Sequence, residues 1–306
     1  MAPMFSKIPL QSLNILAVDE EAFNLEILSE WLLEWGVNVQ TAENGQQALA
    51  ALDTREQPFD VILLDRMMPH MDGLEFLAAM KTQPQWKDIP VIMQSAAATV
   101  DEVQSALKAG IWYYLSKPFE RRKLFSIIET AVTDSMTHRQ LRKFVHELSV
   151  CEINHSPIEL QTVAQAQEAA IQLARHSSNP ESVVVGLFEL LVNAIEHGNL
   201  EISYNDKTRL LNDHHWMEEI HSRLSHSSYC DRVVTASVNE TQKGIEYIIK
   251  DQGKGFKSKR YTQLQTHRAG DNHGRGIAFA RQLSFQRLEF LGSGNEVHAY
   301  CVKEAA

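Results

Sequence analysis

The chain has 306 residues, enough for two domains of ordinary size, and its 44% apolar and 22% charged residues are the balance of a folded globular protein rather than a disordered one. Lys and Arg number 29 against 39 for Asp and Glu, a formal net charge of -10, which argues against direct, nonspecific binding to nucleic acid or to anionic membranes. No apolar run approaches bilayer length, Met1–Gln11 lacks an apolar signal core, and Cys151, Cys230 and Cys301 form no CxxC pair, so we expect a cytoplasmic protein without a zinc site or a disulfide framework.

From Leu13 to about Ser135 short apolar runs alternate with amphipathic stretches. The runs Leu13–Val18, Val37–Thr41, Phe59–Leu64, Ile89–Gln94 and Ile111–Leu115 read as strands. The intervening Phe23–Trp35, Gly45–Leu52, Leu74–Lys81 and Val100–Ala109 read as helices. Five βα units in series predict an α/β, doubly wound five-stranded parallel sheet, in which ligand sites gather beyond the carboxyl ends of the strands. Leu124–Leu148 is helical without a break, since no Gly or Pro lies between Phe119 and Cys151. This stretch reads as the last helix of the first domain running into a linker; its apolar stripe suits either pairing with a second copy or packing on its own domain. After Cys151 the order changes: helices over Leu160–Arg175 and from Pro180 to Ile195, then strands at Val233–Asn239, Ile245–Lys250, Arg287–Phe290 and Glu296–Val302. That order predicts an α+β sandwich. The expected division is 1–132, a helical linker 133–149, and 150–306.

Five side chains stand at the strand ends of the first half. Asp19 and Glu20 follow the first run, Asp65 ends the third, Ser95 follows the fourth and Lys117 the fifth. Three carboxylates on one rim repel one another and call for a cation; magnesium, with its all-oxygen ligation, suits them and bridges carboxylate to phosphate. A lysine beside them favours an incoming phosphoryl group, and the chemistry is phosphate transfer to a carboxylate nucleophile. This constellation resembles the receiver domain of bacterial response regulators, a flavodoxin-like fold. The resemblance implies Asp65 as phospho-acceptor, magnesium on Asp19, Glu20 and Asp65, Lys117 on the phosphoryl group, Ser95 as switch hydroxyl and Tyr114 as switch aromatic. Trp112 and Tyr113 compete with Tyr114 for that role.

The second half holds three spaced motifs. In Glu189–Asn199, Glu189, Asn193 and either Glu196 or His197 share a helix face, and Gly198 is expected to stop the helix. An asparagine oxygen beside a carboxylate suits a magnesium ion carrying triphosphate. In Asp251-Gln252-Gly253-Lys254-Gly255, just after a strand, a carboxylate can accept from the adenine amino group and the glycines admit backbone to the ring. In Gly274-Arg275-Gly276, ahead of a helix, glycines expose backbone N–H groups to phosphate. Together the motifs resemble the GHKL ATPase domain, the Bergerat fold shared by gyrase, Hsp90, histidine kinases and MutL. The resemblance implies ATP and magnesium as cofactors, Glu189 as catalytic base, Asn193 as magnesium ligand, and Asp251 as adenine reader. It places Gly253, Gly255, Gly274 and Gly276 around the pocket, Arg275 near phosphate, and a lid at Lys257–His273.

A histidine kinase carries its phosphorylated histidine on a two-helix domain ahead of this pocket. Val145-His146-Glu147-Leu148 has a similar setting, but the downstream proline is missing and too few residues separate His146 from Asn193 for two long helices. The motifs look more like serine kinases that act as anti-sigma factors. That resemblance implies a STAS-type anti-sigma-factor antagonist as substrate, a sigma factor as a further partner, and an upstream sensor histidine kinase acting on Asp65. A homodimer through the receiver face or linker is expected. The alternatives are an ATP-binding module that sequesters a partner without phosphorylating it, and an atypical histidine kinase or phosphorelay protein. The extra polar segment Asn199–Arg232, with a helix expected over Arg209–Leu224, could bind a partner or cover the sheet. Its His214, His215, Glu218 and His221 read as a solvated histidine-rich face rather than a metal site.

Overall fold

The computed structural model describes residues 13–96, 99–147, 157–213, 215–241, 244–256 and 276–302. The chain divides into two compact units, the first ending at Thr137 and the second beginning at His138.

The first unit is a parallel five-stranded sheet of order β2-β1-β3-β4-β5, made of β1 (Asn14–Val18), β2 (Asn38–Ala42), β3 (Val61–Asp65), β4 (Val91–Ser95) and β5 (Tyr113–Ser116). β1, β3 and β4 are buried along their whole length. That is why they appear in the sequence as continuous apolar runs and not as alternating ones. The helices α1 (Ala22–Trp35), α2 (Gly45–Thr54), α3 (Gly73–Lys81) and α4 (Val100–Lys108) connect them. Asp72 with Glu75 and Thr99 with Glu102 form capping boxes that start α3 and α4. Helix α5 (Arg121–Glu147) then runs unbroken for 27 residues, as the lack of Gly and Pro predicts. Phe125 on α5 stacks on Trp35 of α1 at 4.2 Å between ring centres.

The second unit is an antiparallel sheet of order β6-β7-β8-β10-β9. Its strands are β6 (Ile158–Leu160), β7 (Val234–Thr241), β8 (Gly244–Lys250), β9 (Arg287–Leu291) and β10 (Glu296–Val302). Strand β6 is too short to register in the sequence pattern. Helix α6 (Val163–Ala174) packs on α7 (Pro180–Asn193), whose middle is buried on nearly every side. Asn179 caps α7 and Pro180 sits in its first turn, where its missing N–H costs nothing.

Two expectations need correction. The helix expected over Arg209–Leu224 is two helices, α8 (Tyr204–Asn212) and α9 (Trp216–Leu224). A Ser203–Asp206 capping box starts α8 earlier, and Asp213 closes it by bonding back to Arg209 and Leu211. Gly198 does not end α7: the helix widens into a π-helical turn over Ala194–Asn199, and Gly198 lies inside it. Among the described residues no single helix is long and apolar enough to cross a membrane.

Candidate functional site

The parallel sheet brings the strand-end residues of the first unit to one rim. Asp19 is fully buried and Asp65 nearly so, while Glu20 is exposed beside them. One ligand atom from each of the three lies within 4.8 Å of the others, and among the described residues no other such group of potential metal ligands forms. Lys117 Nζ donates to Asp19 Oδ2 at 2.6 Å and to Asp65 Oδ1 at 2.5 Å. The second oxygen of Asp65 accepts the Met67 N–H at 2.7 Å. Asp19 Oδ1 accepts from the Glu21 N–H and from the Asn24 amide, each at 3.0 Å. The Lys117–Pro118 peptide is cis.

The electrostatics follow from this crowding. Burial pushes the Asp65 carboxyl up, and Lys117 only partly offsets it. Burial also raises Glu20, with the Asp65 and Asp19 carboxylates adding to the rise. Lys117 goes the other way: burial alone lowers an ammonium, but its two carboxylate partners carry it above its ordinary value. Carboxylates held near one another and destabilised in their charged forms are the donor set that a hard divalent cation relieves, so the site fits magnesium.

Ser95 ends β4 and is buried. Tyr114, buried on β5, hydrogen-bonds with the Ser95 side chain; burial raises its phenol and Ser95 partly offsets the rise. Tyr113 faces the opposite side of the strand and donates to Asp134 Oδ2 of α5 at 2.8 Å. Strand alternation thus singles out Tyr114 over Tyr113 as the aromatic on the Ser95 side.

In the second unit, a cavity of about 250 Å³ opens between the sheet and the helices. Ile249, Phe290 and Val297 supply its apolar wall, with Phe256 edge-on to Phe290 at 5.2 Å. Asn193 and Asp251 contribute polar groups at its lining. Asp251 Oδ1 accepts the Gly253 N–H at 2.8 Å, and burial pushes its carboxyl up to about 6. A half-buried acceptor aimed into an apolar cleft is what an amino-bearing heterocycle needs.

Close packing explains the glycines here. A Cβ on Gly198 would stand 2.4 Å from Asp251 Cγ, and one on Gly253 would stand 2.3 Å from the Gly198 carbonyl oxygen. Gly198 is therefore required by the approach of Asp251 rather than by helix termination. Gly255 adopts φ +75°, which L side chains rarely do. Gly276 opens the short helix α10 (Gly276–Phe279), and a Cβ on it would meet Glu189 Oε2 at 2.4 Å and Asn193 Nδ2 at 3.0 Å. Glu189, Asn193 and Gly276 thus meet at one corner, with Asn193 and Gly276 on the cavity and Glu189 just outside its lining. Gly274, Arg275 and the expected lid, Lys257–His273, lie outside the described residues, as does Cys151.

Of the two candidates following Asn193, His197 lines the cavity, while fully buried Glu196 turns to Lys207 Nζ at 2.5 Å. Burial, with Lys207 nearby, lowers the His197 imidazole, whose Nδ1 lies 2.6 Å from the Ile202 carbonyl. Three features went unread in the sequence. Ile202, Ser203 and Tyr204 of the extra segment form part of the cavity wall. Lys207 ties that segment to the turn after α7. His138, in the second half of α5, stands 3.2 Å from Glu189. His146 is exposed and pairs with Glu181. His215 is exposed, and its Nε2 stands 3.8 Å from Glu218.

Residues 15–129 match the model of the response regulator receiver domain, and residues 153–300 match that of the histidine kinase-like ATPase domain. Among curated relatives, the transcriptional regulatory protein ZraR of Klebsiella oxytoca is 36% identical over 132 residues, 43% of this chain and 28% of that protein. The signal transduction histidine-protein kinase BarA of Escherichia coli K12 is 31% identical over 117 residues, 38% of this chain and 12% of that protein. The chain thus spans less than a third of the length of these relatives. Among solved structures, the chemotaxis protein CheY4 of Vibrio cholerae shares 32% identity over 39% of this chain and 98% of its own, with a TM-score of 0.38. The receiver domain of sensor histidine kinase PA1611 from Pseudomonas aeruginosa shares 28% over 40% of this chain and 98% of its own, with a TM-score of 0.37. Domains of the two matched kinds generally use Mg2+ and ATP. The chain carries a response regulator receiver domain followed by a histidine kinase-like ATPase domain.

Proposed function

We propose that this protein is a receiver-controlled serine/threonine kinase of a partner-switching pathway. A sensor histidine kinase phosphorylates Asp65; the C-terminal domain phosphorylates a serine of a STAS-type anti-sigma-factor antagonist, which changes whether a sigma factor is held. At the first site, Asp19, Glu20 and Asp65 would hold magnesium, which supplies charge neutralisation for the incoming phosphoryl group. Lys117 offers its ammonium to the phosphoryl oxygens, and the Ser95 hydroxyl turns toward them with Tyr114 following.

At the second site, Asp251 accepts from the adenine amino group, and Gly253 and Gly255 keep the backbone close to the ring. Asn193 would hold the ATP-bound magnesium, and the Gly274-Arg275-Gly276 motif would offer backbone N–H groups to the phosphates. Glu189 takes the serine proton as its oxygen attacks the γ-phosphorus. The Oγ–P bond forms, the bond to the β-phosphate oxygen breaks, and ADP leaves. The observation that carries this reading is the corner where Glu189 and Asn193 close on Gly276, next to a cavity holding the half-buried Asp251 acceptor.

The test is incubation of the full chain with magnesium, γ-labelled ATP and a panel of antagonist domains, with and without beryllofluoride as the Asp65 phosphate mimic. We expect acid-stable label on one antagonist serine, altered by beryllofluoride and reduced by about 10²- to 10⁴-fold in Glu189→Ala. ATP binding with no transfer would replace the kinase with a sequestering module. Acid-labile label on the chain, lost in His146→Ala, would replace it with a phosphorelay protein.

A further inference from the structure

Helix α5 begins among receiver residues and ends among those of the ATPase unit. From His138 to its end the buried positions are His138, Leu141 and Val145, spaced as one face of a helix. A histidine on such a stripe is out of place unless its ring nitrogens are used, because burying a polar ring without a partner is costly. His138 is 2% exposed, and its Nε2 lies 3.2 Å from Glu189 Oε1. Its ring stands edge-on to Phe279 of α10, at 6.2 Å and 87°. Eight residues further along α5, His146 Nε2 meets Glu181 at 2.7 Å, eight residues back along α7. Equal steps in opposite directions mean that this part of α5 runs antiparallel to α7 over two turns, so the His138 contact belongs to a continuous helix pair.

The two oxygens of Glu189 are therefore used differently. Oε1 faces the imidazole of His138, while Oε2 faces Gly276 at the edge of the cavity, where the Asn193 amide also approaches that glycine. A carboxylate only accepts hydrogen bonds, so the pairing requires the proton on His138 Nε2. We propose that His138 is a positioning residue for the ATPase unit: it donates Nε2–H to Glu189 Oε1 and holds the carboxylate so that Oε2 points to the reacting hydroxyl. This rests on the reading of Glu189 as the base. A glutamate on a helix has three rotatable bonds, and an oxygen anchored on one side removes most of that freedom before substrate arrives. Phe279 stands edge-on to the imidazole, and the same short helix carries Gly276 at its start. The base and the phosphate-side glycine are thereby held by one set of contacts.

The experiment uses the full chain with magnesium and γ-labelled ATP. It reads ATP Kd by equilibrium binding, and kcat both for phosphate release to water and for transfer to the antagonist domain that accepts label. His138→Leu removes the donor but keeps the bulk; His138→Gln keeps an amide donor at similar reach. We expect His138→Leu to lower kcat about 10- to 100-fold, the worth of one hydrogen bond to a charged group. ATP Kd should stay within about twofold, and His138→Gln should recover most of the loss. In a Glu189→Gln background, His138→Leu should add nothing further.

Wild-type turnover unchanged by His138→Leu overturns the positioning role and leaves the kinase reading standing. Wild-type ATP binding without any turnover overturns both. Label found on His138 itself, or a His138→Gln variant as slow as Glu189→Gln, also overturns the proposal, the former by making His138 an acceptor. Should His138→Leu lose ATP binding through misfolding, His138→Gln decides alone: near-normal kcat supports the role, and a fall to the Glu189→Gln rate rejects it.

Discussion

The receiver site and the ATP site are built in opposite ways. Every ionisable group of the receiver site stands at or just beyond the end of a β-strand, and the parallel register of the sheet places Asp19, Asp65, Ser95 and Lys117 on one rim. The ATP site takes Glu189 and Asn193 from a helix face, Asp251 from the end of a strand, Gly276 from a helix start, and Ile202 to Tyr204 from an inserted segment. The first is stable by topology; the second depends on side chains distant in sequence meeting correctly. A rim of strand ends tolerates change elsewhere in the domain, whereas an assembled corner is sensitive to every segment that braces it.

The largest expected effect isolates the rim. Asp65→Asn should abolish labelling of the receiver by a small phosphodonor such as acetyl phosphate, while ATP affinity stays at the wild-type value. Residual label in this variant would mean that another carboxylate serves, and would break the view of one nucleophile per rim.

Next in size is the brace between the insertion and the turn after α7. Glu196 is fully buried, and Lys207 is its cation, itself lying 5.6 Å from the centre of the Trp216 ring. Removing one member of a buried ion pair leaves a desolvated charge, at a cost of about 3–5 kcal/mol. Lys207→Ala should therefore lower the unfolding temperature of the ATPase unit and weaken ATP binding, without changing the rate at which Asp65 is phosphorylated. Hydrogen exchange resolved by segment checks this; loss of protection in the receiver sheet would contradict the separation of the two sites.

The smallest effect sharpens the adenine end of the cavity. Burial lifts the Asp251 carboxyl from its ordinary 3.8 to about 6, so the charged form is penalised in the free protein. The sign follows: the unliganded native state loses stability as pH rises between about 4 and about 6 and does not regain it above. Asp251→Asn should raise the unliganded unfolding temperature at pH 7, with the gain fading toward pH 4. ATP needs the ionised acceptor, so its Kd should fall as pH rises through about 6 in the wild type and stay flat in Asp251→Asn. That variant should bind ATP about 10- to 100-fold more weakly at pH 7. A pH-independent wild-type Kd would remove Asp251 from adenine recognition.

Legibility follows the same division. The strands β1 to β5 were readable within two residues at their ends, β1, β3 and β4 because buried parallel strands are apolar, and the charged residues after them needed only the rule about strand ends. The choice between Tyr113 and Tyr114 was not readable, because adjacent residues on a strand differ only in the face they meet. Asn193 and Asp251 were legible through motif spacing. Gly198 was noticed for the wrong reason: its cause is Asp251, 53 positions away in the chain, and no local pattern carries that. The split of the insertion into α8 and α9 depends on polar caps at Ser203 and Asp213, which the apolar period does not register.

By itself, the sequence determined the two fold classes, the ionisable set at the receiver rim and the grouping of Asn193, Asp251, Gly255 and Gly276. Each of these depends on local periodicity, or on residue types at positions that a strand or helix places without further information. Only the tertiary structure decided that His138, and not His146, faces Glu189, that Ile202 to Tyr204 wall the cavity, and that Glu196 is spent on Lys207. Those are contacts between segments whose mutual register comes from packing; His138 and Glu189, for instance, are 51 residues apart. The energy that selects such a register is summed over a whole helix interface, not written at either residue.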